Sequence, residues 1–200
     1  YVLNEQGTGK TLSALWAADI LMCAGRIKRV LIIGPLSSLR SVWYREIAMN
    51  LPHRKVVIAH GNSSVRTAAI YDSTAQFVVI NHDGVRFAED ELIKAKFDLV
   101  IIDECHLVNH KDEGGYRQFL ADLKAINPAL RVIGLTATPY RLGHGLITDK
   151  DQLKANTDEV MARGGFGSPT IFVDKTDMYF GNDRMPLIRE ALERAKARAA

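Results

Sequence analysis

The sequence predicts an α/β protein built on a parallel β-sheet with helices on both faces. Three observations predict it. Continuous apolar runs at 30–33, 77–80 and 99–102 have the pattern of strands covered on both sides. They alternate with stretches of helical spacing, the order that crossover helices between parallel strands require. Clusters of polar and glycine residues follow the apolar runs directly, and in such sheets ligands bind at the carboxyl ends of the strands.

The first element is a strand end, Tyr1-Val2-Leu3. Asn4-Glu5-Gln6-Gly7-Thr8-Gly9-Lys10-Thr11 follows as a glycine-punctuated loop, and residues 12–22 continue as an apolar-periodic helix opening at Gly9-Lys10-Thr11. A loop running into a helix N-terminus makes an anion site. Backbone N–H groups point into one hollow and the helix dipole adds partial positive charge there. Gly7 and Gly9 let the backbone approach phosphates closely. Lys10 reaches the β- and γ-phosphates as a point charge, and the Thr11 hydroxyl is placed to ligate Mg²⁺. Gly7, Thr8, Gly9, Lys10 and Thr11 are therefore the nucleotide-binding candidates, with Asn4 standing where the strict form of this loop has glycine.

After the polar break Arg26-Ile27-Lys28-Arg29, residues 30–33 form the second strand. Gly34-Pro35-Leu36-Ser37-Ser38 is a turn ending in good N-cap residues, and 39–49 has helical spacing. Val56–Ile58 is a short buried strand and Ser63–Ile70 a helix. Residues 77–80 are a fourth strand ending at Asn81-His82-Asp83-Gly84. Leu99–Ile102 is a fifth, 116–126 a helix, and 132–135 a sixth strand.

The fifth strand ends on Asp103-Glu104-Cys105-His106. Paired carboxylates there are what a nucleoside triphosphatase needs opposite its phosphate loop. Asp103 would hold Mg²⁺, directly or through water, and Glu104 would orient and polarise the attacking water. His106 by itself is equally well a polar surface residue.

Composition bounds the class. With 200 residues, 47% hydrophobic and 24% charged, the chain can bury a substantial core and is not a disordered tail. A net charge of +3 permits a nucleic-acid partner without arguing for one. Cys23 and Cys105 are far apart, which fits a reducing compartment, and we expect a cytoplasmic protein with no disulfide framework. No apolar run approaches the roughly 20 residues that span a bilayer, and no membrane partner is expected. The chain opens on Tyr1 inside a strand, so it reads as part of something longer.

Three motifs in order carry a family resemblance. Asn-Glu-Gln-Gly-Thr-Gly-Lys-Thr, Asp-Glu-Cys-His and Leu135-Thr136-Ala137-Thr138-Pro139 resemble motifs I, II and III of superfamily 2 helicases and translocases of the DExH type. Gly34-Pro35-Leu36-Ser37-Ser38-Leu39 with Trp43 and Glu46 resembles motif Ia, and Val78-Val79-Ile80-Asn81-His82-Asp83 the strand and loop after it. The resemblance covers about residues 1–148. It implies a RecA-like first motor lobe that uses ATP and Mg²⁺ and has DNA or RNA as partner. Lys10, Asp103 and Glu104 would be its catalytic residues, and Thr11 and Asp103 its metal ligands. His106, Thr136 and Thr138 would couple nucleotide state to nucleic-acid grip, and Ser38 and Asn81 would lie near the nucleic-acid backbone. Without the family context, Thr136 and Thr138 read equally well as strand-end hydroxyls bonding to backbone. A second motor lobe, whose arginines complete such ATP sites, is not in the sequence, so nucleotide binding without turnover is the rival reading.

Beyond Thr148 the text changes. Residues 149–161 read as a polar helix and 164–170 as a glycine-rich turn. Residues 171–173 and 178–180 are strands of a β-hairpin, and 186–199 a helix with Leu187, Ile188, Ala191, Leu192 and Ala195 on one face. Gly165-Phe166-Gly167-Ser168-Pro169-Thr170 and Phe180-Gly181-Asn182-Asp183-Arg184 resemble the C-terminal end of thioredoxin-like proteins of the 2-hydroxychromene-2-carboxylate isomerase and kappa-class glutathione transferase group. That resemblance implies a partial thioredoxin-like segment over 149–200, with Ser168, Pro169, Asn182 and Asp183 near a glutathione. An ordinary turn and an ordinary helix N-cap are the bland readings of the same residues. The junction at 148/149 has no linker composition. Either the reading frame is recombined there, or the hairpin and helix dock on the motor sheet, since a lone hairpin is marginal in water.

Overall fold

The structure, a computed structural model, describes residues 2–3, 9–105, 115–136, 140–141, 145–146, 158–159, 161–164, 170–173, 177–180 and 185–198. Among them, six strands form one sheet in the order β1-β6-β5-β2-β4-β3, and every pairing in it is parallel. The strands are β1 (Val2–Leu3), β2 (Val30–Gly34), β3 (Val56–Ile58), β4 (Phe77–Asn81), β5 (Leu99–Ile102) and β6 (Arg131–Thr136).

Continuous apolar runs form these strands because both faces are covered. Side chains alternate across a strand, and the two faces go to two cores. Leu31, Ile33, Val78, Ile80, Val100 and Ile102 pack on one side. They meet Ile70 of helix α3 (Ser63–Ile70), Val85 of α4 (His82–Arg86), Leu92 of α5 (Glu89–Lys94), and Phe119 and Leu123 of α6 (Gly115–Ile126). Val30, Ile32, Phe77, Val79, Leu99 and Ile101 pack on the other, against Ala14, Leu15 and Ala18 of α1 (Lys10–Cys23). At ~25 cal/mol per Å² of apolar surface, each such side chain contributes about 1.5–3 kcal/mol on burial.

Four expectations are corrected. The helix expected over 39–49 is wound in two ways, a π-helical segment Leu39–Tyr44 followed by α2 (Arg45–Asn50). Leu39, Trp43, Ile47 and Leu51, all buried, recur every four residues. That spacing exceeds the α-helical 3.6, so the wider turn keeps them on one face. The strand end at Asn81 does not open into a loop: α4 starts at His82 and α5 follows. β3 is half-buried, not buried, because it is an edge strand pairing only with β4. The first half of β6 is exposed at Arg131 and Val132, and among the described residues β1 pairs with its buried end, Leu135 and Thr136.

The hairpin is present as expected: β9 (Thr170–Val173) and β10 (Asp177–Phe180) pair antiparallel, after a small antiparallel pair of β7 (Tyr140–Arg141) and β8 (Gly145–Leu146). Of the helix expected over 149–161, only 158–159 and 161 are described, and these are helical, as is 162. Helix α7 (Met185–Arg198) does not stand apart from the sheet's layers. Its buried Ile188 and Ala191 pack on Trp16 and Ile20 of α1 and on Tyr179 of β10. Asp19, fully buried in α1, accepts from Arg54 Nε at 2.8 Å and Arg189 Nη2 at 3.1 Å, and lies 3.0 Å from His53 Nε2. Docking thus occurs on α1, the helix that flanks the sheet.

Candidate nucleotide and metal site

Parallel registers bring the polar clusters to one edge of the sheet. Leu3 pairs with Thr136, Ile102 with Gly134, Ile33 with Ile102, and Gly34 with Asn81. The Pro35–Ser38 turn, Asn81, Asp103-Glu104 and Thr136 therefore all lie at its carboxyl edge, where β1, the strand before α1, also ends at Leu3.

Gly9 caps α1 in the left-handed conformation, at φ 79°, which a side chain would disfavour. No side chain caps this helix end, and Lys10 and Thr11 occupy its first turn, half-buried. The dipole of a 14-residue helix thus has its positive end at Gly9-Lys10-Thr11. Gly7 and Thr8 lie outside the described residues, as do His106, Thr138, Ser168, Pro169, Asn182 and Asp183. Thr136 is buried at the end of β6.

Asp103 is held on four sides. Its N–H donates to Ile33 O at 2.7 Å, extending the β5–β2 ladder by one bond. Its Oδ1 accepts from Glu104 N–H at 3.0 Å, and its Oδ2 accepts from the Trp43 indole Nε1–H at 3.1 Å. His82 Nε2 lies 3.0 Å from its main-chain oxygen. Glu104 itself sits at φ 47°, a left-handed conformation that costs a non-glycine residue about 1–2 kcal/mol. Strain of this kind collects at functional turns.

The next layer orders these contacts. His82 Nδ1 is 3.2 Å from the Tyr116 hydroxyl, and Tyr116 stacks edge-on against Phe119 in the core. Burial, reinforced by Asp83, pushes the Tyr116 phenol well above its usual range, so it stays a donor. Burial likewise pushes the Cys105 thiol up to about 11, which leaves it an inert thiol at neutral pH. Ser38 is used locally: its N–H and Oγ both bond to Pro35 O, at 3.0 and 2.9 Å. Asn81 precedes α4 and makes no side-chain cap there.

The side chains named for a metal are of the type that magnesium takes. Mg²⁺ prefers hard oxygen ligands, keeps several waters, and is usually held by one or two carboxylates together with substrate phosphates. Thr11 would supply a hydroxyl and Asp103 a carboxylate with lone pairs left over. Among the described residues no cluster of three or more His, Cys, Asp or Glu is present that would hold a metal without a nucleotide.

Sequence reasoning named Trp43 only as part of a motif and did not single out His82 or Tyr116. No local signal marks them. An indole at a core position of a helix and a histidine after a strand acquire their meaning from what lies across the sheet.

Comparison with known proteins agrees with the fold. The family model described as "Type III restriction enzyme, res subunit" (ResIII) matches residues 1–141. The RNA polymerase-associated protein RapA of Yersinia pestis (strain Pestoides F) is 31% identical over 148 residues, covering 70% of this chain and 15% of the relative. RapA of Yersinia pseudotuberculosis serotype O:1b (strain IP 31758) matches to the same extent. The chain thus spans about 15% of the length of the curated relatives it matches. A solved structure described as "Sulfolobus solfataricus SWI2/SNF2 ATPase core in complex with dsDNA" superposes with a TM-score of 0.55 at 17% identity, covering 96% of this chain and 38% of that one. This last likeness is one of fold, the RecA-like α/β core. The thioredoxin-like reading of 149–200 draws no support from these comparisons. No helix among the described residues is long and apolar enough to cross a membrane.

Proposed function

This chain belongs to the family described as "Type III restriction enzyme, res subunit", and from that premise we propose that residues 1–148 are the ATP-binding lobe of a nucleic-acid-dependent ATPase of the helicase and translocase type. The observation that carries the proposal is the shared edge. β1, the strand that precedes Gly9-Lys10-Thr11 in the chain, ends at Leu3 beside Thr136, and β5 ends at Ile102 beside Ile33 and Gly134, directly before Asp103-Glu104.

In this reading the amides of the phosphate loop, Gly7, Thr8 and Gly9 included, cradle the nucleotide phosphates and Lys10 neutralises the β- and γ-oxygens. Thr11 and Asp103 would hold Mg²⁺, which would screen the phosphate charge. Glu104 orients the attacking water and accepts its proton. Thr136, with His106 and Thr138, carries nucleotide state to the nucleic-acid side, where Ser38 and Asn81 lie. Association with RNA polymerase in RapA's printed name, and dsDNA in the description of the SWI2/SNF2 core, support a nucleic-acid partner, DNA or RNA. A second motor lobe is the other partner, supplying the arginine that completes such sites; hydrolysis by this lobe alone is slow. Residues 149–200 form a separate segment whose helix α7 braces α1.

The test is a calorimetric titration with Mg-ATP of the wild-type chain beside Lys10→Ala. Saturable binding lost in the variant is the expected result; no binding by the wild type overturns the proposal.

A further inference from the structure

The nucleotide reading assigns Asp103 to Mg²⁺ but does not say what sets the rotation of its carboxylate. Two side chains from elements distant in sequence do so. Trp43, fully buried in the π-helical segment, directs its indole N–H at Oδ2. Gly34 makes room for this approach: a Cβ there would lie 3.3 Å from Trp43 Nε1, 3.3 Å from Ser38 Oγ and 3.4 Å from Asp103 Cβ. His82, the first residue of α4, meets the main-chain oxygen of the same aspartate. A carbonyl only accepts, so Nε2 carries the proton; Nδ1 lies 3.2 Å from the Tyr116 hydroxyl, which also reaches His82 O at 3.4 Å.

We infer that Trp43 and His82 are positioning residues for the metal carboxylate: the indole fixes the rotation of the Asp103 side chain, and the imidazole, steadied by Tyr116, fixes the main chain from which it projects. The inference rests on the nucleotide reading. Each carboxylate oxygen offers two lone-pair sites. The indole takes one on Oδ2 and Glu104 N–H one on Oδ1, so the remaining pairs are left aimed and unspent. Such outer partners orient metal ligands and set affinity for the ion. The same clamp holds the strained turn, because Glu104 takes its φ of 47° immediately after the pinned carbonyl. A purely apolar role for Trp43 would leave the direction of its N–H immaterial, and that difference is measurable.

The experiment is calorimetric titration of the full chain with ATP, once in EDTA and once in excess Mg²⁺, for wild type, Trp43→Phe, His82→Ala and His82→Gln. The ratio of the two affinities reports the metal's share of binding. We expect that ratio to fall about tenfold in Trp43→Phe and in His82→Ala, the size of one hydrogen bond to a charged or metal-bearing group. Affinity in EDTA should stay unchanged. His82→Gln, whose amide N–H reaches the same carbonyl, should restore the ratio. An unchanged ratio overturns the inference, and so does an EDTA affinity that falls together with the Mg²⁺ affinity, which is the mark of a merely structural role. Absence of ATP binding by the wild type, by contrast, overturns the nucleotide reading itself.

Discussion

Arg189 donates from its guanidinium to Asp19 Oδ2 at 3.1 Å, joining two helices 170 positions apart. Asp19 lies on α1, the helix that starts at the phosphate loop. Its carboxylate also gathers Arg54 and His53, so one buried anion ties together α1, the loop after α2, and α7.

Asp19→Ala should be strongly destabilising, because it strands the Arg54 guanidinium and leaves a cavity. Breaking a buried pair from one side costs about 3–5 kcal/mol. Arg189→Ala should cost only about 0.5 kcal/mol, since half of that side chain is in water. Urea unfolding of both variants checks the asymmetry. Equal losses would mean that the docking of α7 contributes as much as the buried pair.

Acid should probe the same residue. Burial alone would raise the Asp19 carboxyl, but hydrogen bonds from Arg54 and His53 outweigh it and hold the group below its ordinary value of 3.8. A carboxyl depressed in the folded state contributes stability that is fully present above its unfolded value. That contribution is lost as pH falls through the folded value. Wild-type stability should therefore drop as pH falls below about 4, and Asp19→Asn should show a shallower slope there. Chemical denaturation at stepped pH measures both. Half-buried Asp72, held at about 2 by Thr74 and Lys55, adds acid sensitivity of the same sign to both proteins.

Gly34→Ala tests the close approach beside Asp103. The added Cβ would press on Trp43 Nε1 and Ser38 Oγ, both at 3.3 Å. Overpacking of this kind costs about 1–3 kcal/mol. The substitution should also weaken Mg²⁺-dependent ATP binding more than binding in EDTA. A thermal melt and the paired titrations give both quantities.

Glu104 separates stability from chemistry. Glu104→Gln should bind Mg-ATP as the wild type does and lose whatever hydrolysis the chain performs, which a phosphate-release assay reads directly. Retained hydrolysis would exclude Glu104 as the residue that activates water, and absence of hydrolysis in the wild type as well would favour a binding module without turnover. Glu104→Gly should be equally inactive yet more stable by about 0.5 kcal/mol, because glycine adopts φ 47° without strain and loses part of that gain to its freer unfolded chain.

The residues themselves determined the parallel α/β class and the six sheet strands, because strands buried on both faces must be apolar throughout. They also marked where the candidate chemistry lies. Glycines and a lysine before a helix, and two carboxylates after a strand, are local patterns whose electrostatics follow from a few adjacent residues. Tertiary structure decided what depends on partners far away in the chain. Strand order placed β5 beside β2, and this brought Trp43 to Asp103. The immediate turn from β4 into α4 aimed His82 at the same residue. The fourfold spacing of Leu39, Trp43, Ile47 and Leu51 was visible as letters, but only the packed sheet selected a π-helical turn to serve it. Asp19, an acidic residue on a helix whose neighbouring face is buried, has no local feature that sets it apart from a solvated one. Its role came from Arg54 and Arg189, which only the folded chain brings to it, and the cost of leaving a buried charge unpaired is what holds them there.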